Sequence, residues 1–126
     1  MANEATGRKS SMDRLVGAMN RCAGIHVFSA CGGHARPDLG HAPVGEFNVR
    51  FTVQPSPAGW RSFELILSAC GKDASLVAWW TAEDHLPGSV AFQLEGRGDN
   101  TPDRMADAIA TALKLQTALK LQNDRT

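Results

Sequence analysis

Glu46-Phe-Asn-Val-Arg-Phe-Thr-Val53 is the segment that decides the fold of this 126-residue chain. Its residues alternate between apolar and polar, which is typical of a β-strand that buries one face. The face expected in the core carries Phe47, Val49, Phe51 and Val53, and the other face carries Asn48, Arg50 and Thr52. Prolines at positions 55 and 57 then end the strand.

Further strands are predicted on both sides of this segment. A β-branched and aromatic run at 25–29 precedes it, and strands at 75–81 and 89–95 follow it. Residues 60–70 fit two patterns, the alternation of a strand and the three-to-four spacing of a helix. We prefer the helix, since the run has few β-branched residues and Gly71 follows it as a natural helix end.

Two more helices complete the set of elements. The first is predicted to start at Ser10 or Ser11, either of which can cap it, and to end at Gly24, where φ becomes positive. The last is predicted to start at Thr101, whose hydroxyl caps it, with Pro102 as its first residue.

The order of these elements, α-β-β-α-β-β-α, predicts an α+β fold. We expect a mainly antiparallel sheet of about four strands with the helices packed on one face. Residues 1–9 are expected to form a disordered tail, and residues 10–126 a single domain with an extended C-terminal helix.

Composition and charge indicate which binding partners and which cellular compartment fit this chain. Thirteen basic residues balance thirteen acidic ones, so the chain has no bulk positive field for duplex nucleic acid or for an anionic membrane. No apolar run approaches the ~20 residues that span a bilayer, and the N-terminus is too polar for a signal peptide. An odd number of cysteines, three, fits a reducing compartment, so we expect a cytoplasmic protein.

The loop that follows the first strand carries the strongest candidate site. Consecutive glycines let the backbone adopt conformations in which several N–H groups point to one position, and this arrangement favours an anion. Arginine can bind a phosphate or carboxylate through two hydrogen bonds. An exposed tryptophan would stack on a ring. The expected ligand-binding residues are Ser29, Cys31, Gly32, Gly33, His34, Arg36, Arg50 and Trp80. The alternative is a tight turn in which Cys31 packs inward.

Two other chemistries remain open for this loop. The first is a zinc site, because Cys31 and His34 have the spacing seen in a zinc knuckle. His41 lies nearby in the sequence, and Cys22 or Cys70 could be the fourth ligand. The sequence contains no second closely spaced pair of cysteine or histidine ligands, which a structural zinc site usually has. The second chemistry is cysteine catalysis, in which Cys31 would be the nucleophile. Its base would be His34 or His85, and its orienting carboxylate Asp84 or Glu95.

The end of the last helix contains a direct repeat. Thr-Ala-Leu-Lys-Leu-Gln occurs at 111–116 and again at 117–122. Six residues advance an α-helix by about 600°, so equivalent leucines of the two copies point about 120° apart. Either the second copy buries its leucines against another subunit, or the repeat merely lengthens a surface helix.

Gly24-Ile25, Ser29 and Cys31-Gly-Gly-His34 resemble a segment of a family of small uncharacterised phage and bacterial proteins, which commonly reads Pro-Gly-Ile, a Thr, then Ser-Cys-x-Gly-His. Val90–Gly96 and the helix after it extend the likeness over residues 12–113, which includes a helix at 60–70. The chain departs from this pattern at Ala23, at Val27 and Phe28, and in an insert at 37–43. Ser29–His34 is also faintly similar to tRNA wybutosine-type methyltransferases, which carry Ser-Ser-Cys-Ser-Gly-Arg after a strand.

Three functions follow as expectations. The first is a phage- or prophage-type protein that sequesters a small anionic ligand, with a nucleotide immune signal as the leading candidate, and that forms a homo-oligomer through its C-terminal helix or outer sheet face. It would need no cofactor. The second is a protein–protein module that inhibits a host factor. The third is an enzyme that uses Cys31 and His34, alone or with zinc held by Cys31, His34 and His41.

Overall fold

A computed structural model describes residues 2–32, 45–81 and 90–124 of the chain. They form three helices and four strands in the predicted order α-β-β-α-β-β-α, which confirms the α+β fold. The elements are α1 (Ala2–Asn20), β1 (Ile25–Cys31), β2 (Glu46–Val53), α2 (Pro57–Cys70), β3 (Ala74–Thr81), β4 (Val90–Arg97) and α3 (Thr101–Asp124). The segment at 60–70 is therefore helical, as preferred. Among the described residues, no helix has both the length and the apolar character needed to cross a bilayer.

The four strands form one antiparallel sheet in the order β1-β2-β4-β3. The segment that decides the fold, β2, lies at the centre, between β1 and β4. Both of its neighbours pair with it along their length, from Ile25 opposite Val53 to Glu46 opposite Arg97. Residues of β2 therefore have ordered partners on both sides, and we expect side chains on this strand to be held most firmly.

The helices cover one face of the sheet, as predicted. The alternating apolar residues of β2 are fully buried, and they share one core with residues of all three helices and of β1 and β4. The helical contribution to this core is Met12, Leu15, Ala18, Met19, Ile66, Cys70, Met105, Ala106 and Ile109. We call this side of the sheet the inner face and the opposite side the outer face.

Two of the predicted helix starts were wrong. α1 begins at Ala2 instead of Ser10 or Ser11, and Ser11 lies buried inside the helix, where its hydroxyl donates to the Asp103 carboxylate at 2.7 Å. α2 begins at Pro57, because the Ser56 hydroxyl accepts a hydrogen bond from the Gly59 amide at 3.1 Å. The division into a disordered tail at 1–9 and one domain at 10–126 stays a prediction.

α3 starts at Thr101 as predicted, but the threonine hydroxyl does not make the predicted capping hydrogen bond. The hydroxyl donates to the carbonyl of Arg97 instead. The first turn is held by Asp103, which accepts from Arg14 Nη1 at 2.7 Å, while Arg14 Nη2 contacts Asp107 at 2.5 Å. The hydrogen bond to Asp107, and then that to Asp103, raises the pKa of Arg14. These two hydrogen bonds from Arg14 hold α1 against α3.

Candidate functional site

The register of the sheet brings several predicted site residues together on the outer face. Ser29 of β1 lies opposite Arg50 of β2, and Arg50 lies opposite Gln93 of β4. The next row along the strands consists of Cys31, Asn48 and Glu95. Paired residues share a face, so these six residues form one patch. We call Ser29, Cys31, Asn48, Arg50, Gln93 and Glu95 the outer-face cluster.

A chain of hydrogen bonds holds the charged groups of this cluster. Arg50 Nε donates to Gln93 Oε1 at 2.8 Å, and Gln93 Nε2 donates to Glu95 Oε1 at 2.8 Å. Arg50 and Gln93 are partly buried, whereas Glu95 is exposed. The bond to Gln93 fixes the plane of the guanidinium group at the centre of the sheet. An arginine oriented in advance loses less freedom when it binds an anion.

The neighbouring row of the outer face is sheltered from solvent. Thr52 and Ala91, which lie opposite each other on β2 and β4, are fully buried. His26, opposite Thr52 at the edge of the sheet, is exposed. Arg50 therefore lies beside a region from which water is excluded. Hydrogen bonds to a charged group are stronger in such a place than in open water.

β1 changes direction inside the site. Its register with β2 shifts between Val27 and Ser29, so Phe28 is an extra residue, a β-bulge that reorients the residues after it. The amide of Val27 donates to the Asn20 side chain at 2.8 Å, which ties the strand to the end of α1. After the bulge the strand carries Cys31 and then the partly buried Gly32. The bulge sets the direction in which the chain leaves the sheet.

The predicted site residues are described to different extents. Ser29, Cys31, Gly32 and Arg50 lie in or beside the outer-face cluster. Trp80 pairs with Ala91 in the row of Thr52, one row away from Arg50, whose row continues on β3 with Ala78. The remaining residues singled out for binding, metal or catalysis, namely Gly33, His34, Arg36, His41, Asp84 and His85, lie outside the described residues.

The structure does not bring Cys22 or Cys70 together with Cys31, and the zinc site of Cys31, His34 and His41 stays a prediction. Cys22 and Cys70 are buried in the core on the inner face, whereas Cys31 shares the outer face with Asn48. Burial raises the pKa of Cys22 to about 11 and, with smaller effects of Asp73 and Cys22, that of Cys70 to about 12. Both thiols are therefore protonated at neutral pH. No group of metal ligands occurs among the described residues.

A cavity of about 470 Å³ at one end of the sheet was not predicted from the sequence. Its charged lining comes from β2, from the turn between α2 and β3, and from β4: Glu46, Lys72, Asp73, Glu95 and Arg97. Arg97 Nε pairs with Glu46 at 3.0 Å, and Arg104 of α3 pairs with Asp73 at 3.1 Å. Three carboxylates face two cations in this lining, so the cavity does not favour an anion. Of these charged residues, the sequence singled out only Glu95 for a role, as a carboxylate that could orient a catalytic histidine.

Comparison with family models, with curated proteins and with solved structures found no match for the chain. The resemblance to small phage and bacterial proteins stays a prediction. The function is therefore inferred from the geometry of the outer-face cluster.

Proposed function

We propose that this protein binds a small anionic ligand on the outer face of its sheet, with a nucleotide as the leading candidate, and holds it without chemical conversion. The observation that carries the proposal is Arg50: a partly buried arginine on the central strand, oriented by Gln93 and paired in register with Ser29. An oriented guanidinium beside a hydroxyl is an arrangement that suits phosphate and carboxylate groups.

The cavity at the end of the sheet is an unfavourable place for an anion. In the cavity each of Glu46 and Asp73 is an acidic neighbour that competes with an anion for the cations. At Arg50 one hydrogen-bond partner is the neutral amide of Gln93, which orients the guanidinium group without adding a charge of its own.

The wider proposal includes the loop after Gly32 and the setting in which the protein works. Gly33, His34 and Arg36 would add backbone amides and charge, and Trp80 a ring for stacking. By its resemblance to small phage and bacterial proteins, we assign the protein a cytoplasmic role in sequestering a nucleotide signal of host defence, as a homo-oligomer. Inhibition of a host protein and chemistry at Cys31 with His34 or zinc stay the alternative predictions.

Titration calorimetry with inorganic phosphate, AMP and a cyclic dinucleotide as probes tests the proposal. We expect the protein to bind at least one nucleotide and Arg50→Ala to weaken that binding about 10- to 100-fold, since a hydrogen bond to a charged group contributes about 1.5–3 kcal/mol. Arg50→Lys keeps the charge but loses the two-pronged geometry, so its affinity should fall between the two. Native mass spectrometry of protein purified without chelator would show a ligand carried from cells.

Arg61→Ala is the matched control, because Arg61 is an exposed arginine of α2. It removes the same charge away from the outer face and should leave the affinity unchanged. Circular dichroism must show that each variant is folded. Equal affinities for the wild type and a folded Arg50→Ala variant, or binding of none of the three probes, would contradict the proposal.

A further inference from the structure

Two ion pairs neutralise most of the charge around the cavity at the end of the sheet. Glu46 pairs with Arg97 at 3.0 Å, and Asp73 pairs with Arg104 of α3 at 3.1 Å. Glu46, Asp73 and Arg97 line the cavity, whereas Arg104 reaches Asp73 from outside the lining. Each of these two carboxylates therefore has a guanidinium partner within the protein, and each pair is neutral as a whole.

The two remaining charges of the lining have opposite signs. Lys72, in the turn between α2 and β3, is exposed and forms no ion pair with any described residue. Glu95 of β4 is also exposed, and the neutral amide of Gln93 donates to its Oε1 atom at 2.8 Å. Among the described residues, no group donates to its Oε2 atom. One ammonium group and one carboxylate oxygen are therefore left to contact a ligand.

The register of the sheet places Glu95 beside the turn that carries Lys72. Glu95 lies opposite Ser75 of β3, and Ser75 follows Lys72 by three residues. Three residues span at most about 10 Å, and paired Cα atoms of an antiparallel sheet lie about 5 Å apart. The long side chains of Lys72 and Glu95 can therefore reach the same ligand. The hydrogen bond from Gln93 orients the Glu95 carboxylate before a ligand arrives, which lowers the entropic cost of binding.

A β-bulge in the edge strand adds an apolar part to the lining. The register between β3 and β4 shifts between Leu76 and Ala78, so Val77 is an extra residue of β3. Val77 lines the cavity and is 47% exposed. The cavity volume of about 470 Å³ lies within the range of about 300–1,000 Å³ that is usual for small-molecule pockets. The cavity thus combines a cation, an anion and an apolar surface.

We propose that this cavity binds a small zwitterion, an α-amino acid with an apolar side chain. The ligand carboxylate contacts Lys72, its ammonium group contacts Glu95, and its side chain packs on Val77. A ligand with only a negative charge would be repelled by Glu95, whereas a zwitterion brings a cation to Glu95 and leaves the net charge of the cavity unchanged. The inference goes beyond the proposed function and does not depend on it, since Arg50 does not line the cavity.

A series of ligands tests which charges the cavity recognises. In an NMR titration of the isotopically labelled protein, L-leucine should shift the amide signals of residues 71–75 and 95–97. Isocaproate lacks the ammonium group of leucine and isopentylamine lacks its carboxylate, so each should bind at least about 5-fold more weakly because one exposed ion pair is lost. No shift with leucine, or equal affinity for either analogue, would overturn the proposal. Tighter binding of leucyl-leucine would overturn the assignment to a single amino acid.

Two charge-removing variants test the residues. Lys72→Met and Glu95→Gln keep the approximate size of each side chain, and each should weaken leucine binding about 5-fold. Lys114→Met and Glu64→Gln are the matched controls, because they remove the same charges at exposed positions of α3 and α2 that do not line the cavity. Both controls should bind leucine as the wild type does.

The dispersion of the amide signals shows whether each variant is folded. Unchanged leucine binding in folded Lys72→Met and Glu95→Gln, or equal losses in the two controls, would overturn the proposal. The titration contains no nucleotide, so a negative result refutes only the amino-acid site. Failure of every nucleotide probe to bind would refute the proposed function and leave the leucine titration as a separate result.

Discussion

Replacing Gly24 by alanine probes the closest backbone approach between the end of α1 and the start of α2. Gly24 has φ +77°, and a Cβ atom built on it lies 2.8 Å from the Cα atom of Gly59 and 3.3 Å from its amide nitrogen. Both neighbours are backbone atoms, which cannot rotate away as a side chain does. Alanine at this position therefore meets two penalties, an unfavourable φ and a steric clash.

The structure supplies a control for the φ penalty. Gly45 has φ +83°, but no described atom lies within 4 Å of a Cβ built there, so Gly45→Ala reports the cost of φ alone. A left-handed alanine costs about 1–2 kcal/mol, offset by about 0.4–1 kcal/mol from the stiffer unfolded chain. We expect Gly45→Ala to lower the free energy of unfolding by about 1 kcal/mol. Overpacking adds about 1–3 kcal/mol, so Gly24→Ala should lower it by about 2–4 kcal/mol.

Gly17 lies inside α1, with open space around a Cβ atom built on it, and completes the series. Gly17→Ala should raise the free energy of unfolding by about 0.5–1 kcal/mol, because alanine loses less freedom in a helix. Urea denaturation followed by circular dichroism measures all three variants on one scale. If Gly24→Ala costs no more than Gly45→Ala, the contact between Gly24 and Gly59 does not exist and the reasoning fails.

Two further predictions concern the core. Phe92 is 8% exposed, and its ring centroid lies 4.4 Å from that of Phe63. In the same urea assay, Phe92→Ala should lower the free energy of unfolding by about 3–5 kcal/mol, and Phe92→Leu by less than about 1.5 kcal/mol. Equal losses in the two variants would contradict this packing. The raised pKa values of Cys22 and Cys70, about 11 and 12 against the ordinary 9.0, mean that unfolded thiols ionise first. The free energy of unfolding should therefore fall as pH rises from about 9 towards 12. At neutral pH a thiol reagent should label these two cysteines only as fast as the protein unfolds, and rapid labelling of the folded protein would contradict their burial.

The strands could be predicted because the sheet buries one face more than the other. In β2 the apolar residues Phe47 and Val49 alternate with the polar residues Asn48 and Arg50, and this alternation predicts the strand although Asn48 is also buried. The helix α2 was harder, because its residues also fit a strand, and its start at Pro57 was missed. The signal is present in the sequence: Ser56 followed by proline is a typical helix start, but the same prolines also mark the end of the strand before it.

The site could be predicted only in part, because its geometry depends on register. The sequence placed Ser29 and Arg50 on consecutive strands, and the register of the sheet then places them opposite each other. The bulge at Phe28, which brings about that pairing, leaves no local mark in the sequence. The hydrogen bond between Gln93 and Arg50 joins residues 43 positions apart, so no local pattern predicts it. The cavity lining of Lys72 and Arg97 was missed for the same reason.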